Sequence, residues 1–518
     1  MSILIAFLIV FAAEILILFV RAEICKIKGR TLAKKKPVCS EPISGKLSDE
    51  FSEKILKESF KKSFKEYPKG SFEDLQVYYS KRLAEMISCQ TVSKKGKFHP
   101  EEFYKLRSVI RELFPEVTKK AEIRYFGEDC YLYKFEGKDL KKNVMLMSHH
   151  DVVPAEGEWN YPPFSGEIAE GCIWGRGTVD TKTPLFAEFS ALEELLKEGW
   201  IPPCNVYLVS SHNEEIAGDG APLVLQWLKE QKITFEWILD EGGAVIDAPM
   251  SGIDCKCAML AVHEKGHCSI RVKVAQAVGH GSLVKQLKSP AVRIAGLITY
   301  IEKKQPFLRK IHPEVLAMFE SLAPYMKLPM RLVFANMWCF GGILKRLIPA
   351  LNAQAGSMLG TTCTFKNLQS AENGDCTAEV LFRCVKEEDL RTDLETFQKI
   401  AEKFQVEVDE VIENECYRPA SMESNGYRFI KSCVEEVFDY AACAPFILPA
   451  GTDARHFSEL SDAVIRFATI DINNQQYASV HDKNENIGIE SVVRAVVFYK
   501  AVLRKLYEKM ENRKDKKV

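Results

Sequence analysis

From about residue 73 onward, short apolar runs alternate with longer stretches of helical periodicity. The segment "FAEFSALEELLKEGW" has the apolar spacing of a helix, whereas "NVYLVSS" and "FEWILDEGG" are apolar runs that end in polar residues. This alternation predicts an α/β fold. In open parallel sheets ligands bind at the carboxyl ends of the strands, so we expect the functional residues there.

The pattern changes after residue 263, which predicts a second, smaller domain inserted into the first. Strand-like runs ("HCSIRVKVAQAVGHGS", "TTCTF" and "TAEVLFRCV") flank a helix near residues 289–304. Helix and strand resume at about residue 424, and the chain ends in the helical segment "SVVRAVVFYKAVLRKLYEKM". We therefore predict one domain from residues 73–262 and 421–510, interrupted by another at 263–420.

The amino-terminal pattern predicts a membrane anchor. The run "SILIAFLIVFAAEILILFV", broken only by Glu14, is about long enough to cross a bilayer, so residues 2–21 are predicted to form a transmembrane helix. The basic residues that follow would keep the body of the protein in the cytoplasm, as a single-pass membrane protein. The alternative is a secreted or lumenal protein. Residues 22–72 are predicted to form a basic linker and an amphipathic helix.

Composition narrows the classes of function. The chain has 518 residues, which is enough for more than one domain. Its net charge is -1, so it lacks the excess of basic residues that would indicate nucleic-acid binding. Its 16 cysteines are scattered without paired C-x-x-C motifs, which favours reduced, structural thiols over a disulfide framework.

Five stretches place acids or histidines just after an apolar run: "SHHDVVP", "GRGTVDTK", "SSHNEEIAG", "ILDEGG" and "SVHDKNEN". Each alone is typical of a solvated loop or a helix start. Together, at the ends of strands, they supply the histidine and carboxylate ligands that a divalent metal site needs.

The order and spacing of these motifs resemble the zinc metallopeptidase and amidohydrolase family of carboxypeptidase S, carboxypeptidase G, acetylornithine deacetylase and aminoacylase. Within it, they resemble the motifs of carboxypeptidase S and of the secreted N-acyl-amino-acid hydrolase/synthase. The resemblance covers about residues 75–508. It implies an α/β catalytic domain with a mostly parallel central sheet, interrupted by a ferredoxin-like lid through which two subunits form a homodimer.

The resemblance also implies a centre of two Zn²⁺ ions, with Co²⁺ or Mn²⁺ as alternatives. The family pattern His-x-Asp makes His149 a ligand rather than His150, and Asp151 would orient it, because residues two apart on a strand point the same way. Asp240 is the alternative to Glu241, since a one-residue shift of the alignment exchanges them. The implied ligands are His149, Asp180, which bridges the two ions, Glu215, Glu241 and His481.

Further residues are assigned by the same resemblance. Glu214 matches the general base, and His280 matches a lid histidine that reaches the partner subunit's site. Arg455 matches an arginine that binds a substrate carboxylate, with an ordinary domain-interface ion pair as the alternative, and Thr452 shapes the same loop. The peptide bond between Asp180 and Thr181 is expected to be cis.

The sequence thus predicts a membrane-anchored di-zinc hydrolase in which metal-activated water and the Glu214 base cleave one of two amides. These are a C-terminal peptide bond and an N-acyl-amino-acid amide, so the expected substrate is a small peptide or an N-acyl amino acid. The alternative from another class is a catalytically inactive, ligand-binding or scaffolding homologue.

Overall fold

The computed structural model describes residues 14–27, 72–276, 289–351 and 353–514. The strands are β1 (Glu122–Phe126), β2 (Cys130–Phe135), β3 (Asp139–Met147), β4 (Glu167–Ala169), β5 (Cys172–Trp174), β6 (Cys204–Ser210), β7 (Ile238–Asp240), β8 (Val245–Ile246), β9 (Cys257–Glu264), β10 (Gly266–Val274), β11 (Thr362–Ser370), β12 (Cys376–Cys384), β13 (Glu407–Glu415), β14 (Ala442–Leu448), β15 (Val464–Arg466) and β16 (Asn486–Gly488).

The α-helices are α1 (residues 14–27), α2 (Phe72–Ile87), α3 (Pro100–Leu113), α4 (Pro115–Lys120), α5 (Lys182–Lys197), α6 (Gly220–Glu230), α7 (Pro290–Lys304), α8 (Pro313–Leu322), α9 (Leu328–Phe334), α10 (Met337–Leu351), α11 (Ala353–Ser357), α12 (Glu387–Lys403), α13 (Asn425–Val437), α14 (Asn474–Ala478) and α15 (Ile489–Lys514). Short 3-10 turns form at Glu214–Ile216, Ala323–Tyr325 and Asp453–Glu459.

The central sheet has nine strands, in the order β1-β2-β6-β3-β7-β15-β9-β14, with β8 paired to β9. Its middle is parallel, because β3 pairs in parallel with both β6 and β7, and β7 with β15. Its flanks contain antiparallel pairs, including β1 with β2 and β15 with β9. The sheet is therefore mixed rather than mostly parallel. The turn between β1 and β2 is too short for a crossover, so these two strands must run antiparallel.

Helix α5 lies in the core beside this sheet and is buried along nearly its whole length. Both α2 and the terminal helix α15 pack against it. This burial includes polar side chains such as Glu188 and Glu193 as well as the apolar ones. The helices predicted near residues 186–200 and at the carboxyl terminus are confirmed.

The inserted domain has a four-stranded antiparallel sheet in the order β11-β12-β10-β13, with α7 and α12 packed on it. This order of a βαββαβ unit is that of a ferredoxin-like domain. Strand β9 ends at Glu264 in the central sheet and β10 begins at Gly266 in the lid sheet. Lys265 is thus the connection between the two sheets.

A group of helices between α7 and β11 has no counterpart in the sequence-based prediction. Helices α8 to α11 do not cover the lid sheet. They form a separate apolar cluster with β9 and β14, at the edge of the central sheet. We call this group the helical insertion, residues 313–357.

Helix α1 packs on the helical insertion through polar contacts as well as apolar ones. The side-chain amide of Asn336 donates to the Leu18 carbonyl oxygen at 3.1 Å. The Arg331 guanidinium lies 3.2 Å from the Glu23 carboxylate. One side of this helix is therefore occupied by protein.

The predicted transmembrane helix at residues 2–21 is wrong. Within the described part of the chain, no helix is both long enough and apolar enough to cross a membrane. Charged side chains, Arg21 among them, lie within residues 14–27. The predicted single-pass localisation rested on this anchor. Residues 1–13, and the linker and amphipathic helix at 28–71, lie outside the described residues.

Close packing leaves no room for a side chain at one helical glycine. A Cβ atom on Gly426, in α13, would lie 2.6 Å from both the Glu236 carbonyl oxygen and the Ala463 Cβ. We predict that Gly426→Ala lowers the free energy of unfolding by about 1–3 kcal/mol, because the contacts are with backbone and a core side chain. The control is Gly342→Ala in α10, where a Cβ meets nothing within 4 Å. That change should stabilise the protein by about 0.5–1 kcal/mol. Urea midpoints of both variants test this, and equal midpoints would contradict it.

Candidate metal centre

Two groups of metal-ligand side chains meet at one point of the structure. In each group one ligand atom per residue lies within 4.8 Å of the others, and Asp180 belongs to both groups. The described part of the chain contains these two groups and no other of the kind. They unite all five predicted ligands: His149, Asp180 and Glu241 in one group, and Asp180, Glu215 and His481 in the other.

The central sheet explains why residues so distant in sequence meet. His149 follows the end of β3, Glu215 lies in the 3-10 turn after β6, and Glu241 directly follows β7. These strands are parallel neighbours, so their carboxyl ends lie at the same edge. Asp180 precedes α5, and His481 follows α14, so loops deliver the remaining ligands.

The Asp180 carboxylate contacts both histidines, one through each oxygen. Oδ1 lies 2.9 Å from His149 Nε2, and Oδ2 lies 3.0 Å from His481 Nε2. His481 Nε2 also lies 3.0 Å from Glu215 Oε2. Burial alone would raise the pKa of Asp180, but the hydrogen bonds and charges of the two histidines outweigh it and lower this pKa. A carboxylate shared in this way has the geometry of a bridging ligand.

The other acids of the centre are held where a negative charge is unfavourable. Burial, and next the charge of Asp180, raise the pKa values of Glu241 and Glu215 above the usual range. Glu215 Oε1 is buried with no hydrogen-bond partner among the described residues. Three clustered carboxylates and two imidazoles fit divalent cations, which would neutralise this charge and satisfy that oxygen.

Asp151 connects the metal ligands to the acidic turn. His149 Nδ1 lies 3.3 Å from its Oδ1 and 3.0 Å from its carbonyl oxygen, which leaves Nε2 directed at the centre. The backbone N–H groups of Glu214 and Glu215 donate to its carboxylate, each at 3.2 Å. The Ser93 hydroxyl donates to the same carboxylate at 2.5 Å. Asp151 therefore orients a histidine and two glutamates at once.

His150 points away from the centre, as strand alternation predicts. Its ring stacks on Tyr131 at 4.6 Å between centroids, and its Nδ1 lies 2.8 Å from the Ser210 hydroxyl. Burial lowers its pKa to about 3. It is a neutral core residue.

The two neighbouring acids after β7 also point in different directions. Glu241 joins His149 and Asp180 in the metal-ligand group. Asp240 accepts a hydrogen bond from the backbone N–H of Ala454 at 2.9 Å. It therefore supports the Asp453–Glu459 turn, and the geometry favours Glu241 over Asp240 as a ligand.

Arg455 and Thr452 lie beside the acidic turn in different roles. Arg455 is 8% exposed, its Nη1 donates to the Thr452 carbonyl oxygen at 2.9 Å, and the same atom lies 3.8 Å from Glu214 Oε1. The Thr452 hydroxyl donates to the Glu264 carboxylate at 2.9 Å, so it holds the loop. His280 lies outside the described residues.

Glu485 is a residue of the centre that sequence reasoning missed. It is fully buried and accepts from the Arg176 guanidinium at 2.6 Å. The backbone N–H groups of Val179 and Asp180 also donate to it, at 2.7 and 3.1 Å. It lies inside "SVHDKNEN" and pairs with the arginine of "GRGTVDTK", so both motifs contained the signal.

Two further observations complete the centre. The peptide bond between Asp180 and Thr181 is cis, which confirms the expectation. Ser93, the other residue that was missed, lies in a segment without any motif, and nothing in its local sequence indicates a role.

Comparison with known proteins places the chain in a family. The model of peptidase family M20/M25/M40 matches residues 145–505. The N-fatty-acyl-amino acid synthase/hydrolase PM20D1 of Xenopus tropicalis is 30% identical over 404 residues, covering 75% of this chain and 78% of that protein. The probable carboxypeptidase S-like 2 of Dictyostelium discoideum is 28% identical over 440 residues, covering 81% and 83%.

Among solved structures, the M20 family metallo-carboxypeptidase Sso-CP2 from Sulfolobus solfataricus superimposes with a TM-score of 0.60 at 18% identity, covering 83% of this chain and 99% of that one. At this identity the likeness concerns the fold. The family match covers most of the chain and includes every residue of the two metal-ligand groups. The chain therefore belongs to peptidase family M20/M25/M40 and is a hydrolase.

Proposed function

We propose that this hydrolase uses two metal ions to cleave an amide next to a free carboxylate. The bond is a C-terminal peptide bond or the amide of an N-acyl amino acid. The observation that carries the proposal is Asp180, shared between two groups of candidate metal ligands, with Glu214 directly next to the candidate ligand Glu215 in the chain. The names of the relatives, a fatty-acyl-amino acid hydrolase and a carboxypeptidase S-like protein, agree with both substrates.

The metal ions would be held by the five ligands of the centre. Mixed histidine and carboxylate ligands suit Zn²⁺, with Co²⁺ or Mn²⁺ as alternatives. When bound, such ions polarise a carbonyl group and make water more acidic. Their protein partners are already oriented, since Asp151 fixes His149 and Glu485 fixes the backbone at Asp180.

Glu214 is proposed as the general base and then the general acid. It would take a proton from the attacking water and deliver it to the leaving amine as the C–N bond breaks. The oxygen of the water joins the carbonyl carbon, so the products are a carboxylic acid and an amine. Asp151 accepts a hydrogen bond from the Glu214 backbone N–H, and Arg455 Nη1 lies 3.8 Å from the Glu214 carboxylate.

Arg455 is proposed to bind the carboxylate of the substrate. Its guanidinium is nearly buried, and its Nε has no hydrogen-bond partner among the described residues. Donor capacity therefore remains for a carboxylate, which a guanidinium binds with two parallel hydrogen bonds. The lid dimer and the action of His280 in the partner subunit's site remain predictions. The inactive alternative is not favoured, because no ligand position is missing.

The two neighbouring glutamates separate metal binding from proton transfer. We expect Glu215→Ala to lose one metal ion and to melt at a lower temperature, because metal binding is linked to folding. Glu214→Gln should keep both ions and lose at least about 10²-fold in turnover. Metal analysis, melting temperature and turnover on N-acyl amino acids and dipeptides test this.

The control is Glu112→Gln, an exposed glutamate in α3. It should match the unaltered protein in all three measurements. If Glu214→Gln lost metal or kept near-normal turnover, Glu214 would not be the general base.

Ser93 tests whether Asp151 must be held in place. Ser93→Ala removes a hydrogen bond to that carboxylate, and we expect metal affinity or turnover to fall about 10–100-fold, as for other groups behind metal ligands. Ser108→Ala is the matched control, because the Ser108 hydroxyl only donates to the Tyr104 carbonyl oxygen within its own helix. Equal behaviour of the two variants in metal titration and turnover would argue against the role of Asp151.

Arg455 tests the recognition of the substrate carboxylate. Arg455→Lys keeps the charge but loses the planar pair of donors. We expect a raised KM for substrates with a free α-carboxylate and little change for their amides, which should already be poor substrates. An equal loss on acids and amides would instead indicate a structural ion pair.

A further inference from the structure

Helix α1 is apolar on two opposite sides. Ala22 is fully buried and Leu18 is half-buried, on the side that packs on the helical insertion. Leu16, Val20 and Ile24 recur at intervals of four residues on the opposite side, and all three are exposed, Leu16 to 63%. A surface helix of a globular domain normally carries polar residues on that side. The outward side of α1 is therefore suited to an apolar partner.

Helix α10 repeats this arrangement. Leu344 and Ile348 are buried in the apolar cluster that the helical insertion forms at the edge of the central sheet. Trp338, Ile343 and Leu347 lie outside that cluster, and their exposed fractions are 64%, 60% and 49%. A second helix of the same region thus presents large apolar side chains outward.

The outward sides of the two helices adjoin. The Arg21 guanidinium of α1 lies over the Trp338 ring of α10, 5.9 Å from the ring centroid, which is within reach of a cation–π contact. A contiguous exposed apolar patch marks a surface that binds another protein or a membrane. We call the exposed side chains of these two helices the outer face: Leu16, Val20, Ile24, Trp338, Ile343 and Leu347.

The charges beside the outer face are mostly basic. Arg21 and Arg346 are exposed, and α10 contains no acidic residue. Helix α1 has two acids: Glu14 lies at its start, and the Glu23 carboxylate lies 3.2 Å from the Arg331 guanidinium, which offsets its charge. The border of the outer face therefore attracts anions.

The sequence that continues from α1 adds to this basic border. Residues 24–40 include six basic residues and no acidic one. An apolar face with basic neighbours complements a bilayer of anionic lipids, because the apolar side chains enter the boundary of the acyl chains and the basic groups meet the phosphates. Tryptophan is enriched at this boundary, which suits Trp338.

A second copy of the chain fits the outer face less well. A twofold interface brings the same patch of both subunits together. The basic groups of the two copies would then lie close to one another, and like charges across an interface are unfavourable. The charge of the border therefore favours lipid over a second copy.

We propose that the outer face docks the protein on the surface of an anionic phospholipid bilayer, with α1 and α10 in the plane of the interface and neither helix crossing it. The inference goes beyond the proposed function, because it concerns a surface formed by α1 and the helical insertion and uses no residue of the metal centre.

Vesicle flotation with the metal-loaded, full-length protein tests this proposal. The vesicles are made of phosphatidylcholine alone or of phosphatidylcholine mixed with phosphatidylserine. We expect stronger binding to the mixed vesicles, and added salt should weaken it, because exposed charges are screened. Arg346→Glu should bind the mixed vesicles at least about fivefold more weakly and should leave binding to phosphatidylcholine alone unchanged.

A matched pair of variants separates the outer face from other exposed apolar residues. The double variant Ile343→Glu/Leu347→Glu places two charges in the outer face, and we expect its vesicle binding to fall at least about tenfold. Leu140→Glu is the control, because Leu140 is 61% exposed in β3, away from the two helices. It should bind vesicles like the unaltered protein. The melting temperatures of both variants, measured without lipid, should stay unchanged.

The apolar residues 1–13 are present in every variant, so they do not account for a difference between them. The proposal is overturned if the unaltered protein floats with neither kind of vesicle, or if the double variant floats as well as Leu140→Glu. Light scattering without lipid tests the second copy. A dimer that the double variant converts into a monomer would assign the outer face to self-association and also overturn the proposal. Neither measurement depends on turnover, so the result stands apart from the proposed function.

Discussion

The carboxylate of Asp180, buried between two histidines, is the contact on which the rest of the centre depends. Its two oxygens contact the imidazoles of His149 and His481, which lie far apart in the amino-acid sequence. Glu215 and Glu241 lie near it, and burial raises the pKa values of both carboxyl groups. A cluster of buried carboxylates is stable only with positive charge among them. The buried Glu485–Arg176 ion pair fixes the loop that carries Asp180.

Buried hydrogen bonds also join the loop of Thr452 and Arg455 to the connection between the two domains. Glu264, the last residue of β9, accepts from the backbone N–H of Thr452 at 2.7 Å and from Arg466 Nε at 2.5 Å. The next residue, Lys265, donates to carbonyl oxygens of Ser357 and Gly360 at 2.9 Å. The loop of the proposed carboxylate-binding arginine and the start of the lid are therefore anchored at one buried point.

The segment after β7 takes part in both the candidate metal centre and an apolar cavity. The short stretch after β7 contributes Glu241 to the centre and Gly242 to the apolar cavity. The opposite wall of the cavity comes from a helical insertion that is far away in sequence and is itself packed by helix α1. The same sheet therefore carries the candidate centre at its strand ends and the helical insertion at its edge.

The sequence by itself determined the α/β class, and its motifs predicted the five candidate ligands that the fold brings together. The family pattern His-x-Asp indicated His149 rather than His150, and strand alternation, which is a local property, agrees with that choice. Only the tertiary structure separated Glu241 from its alternative Asp240, brought in Ser93 and Glu485, and packed residues 14–27 on protein where the apolar run had predicted a membrane span. The reason is physical: periodicity records which face of an element is apolar, whereas the partner that covers that face, or that pairs with a buried charge, is chosen by contacts between residues far apart in sequence.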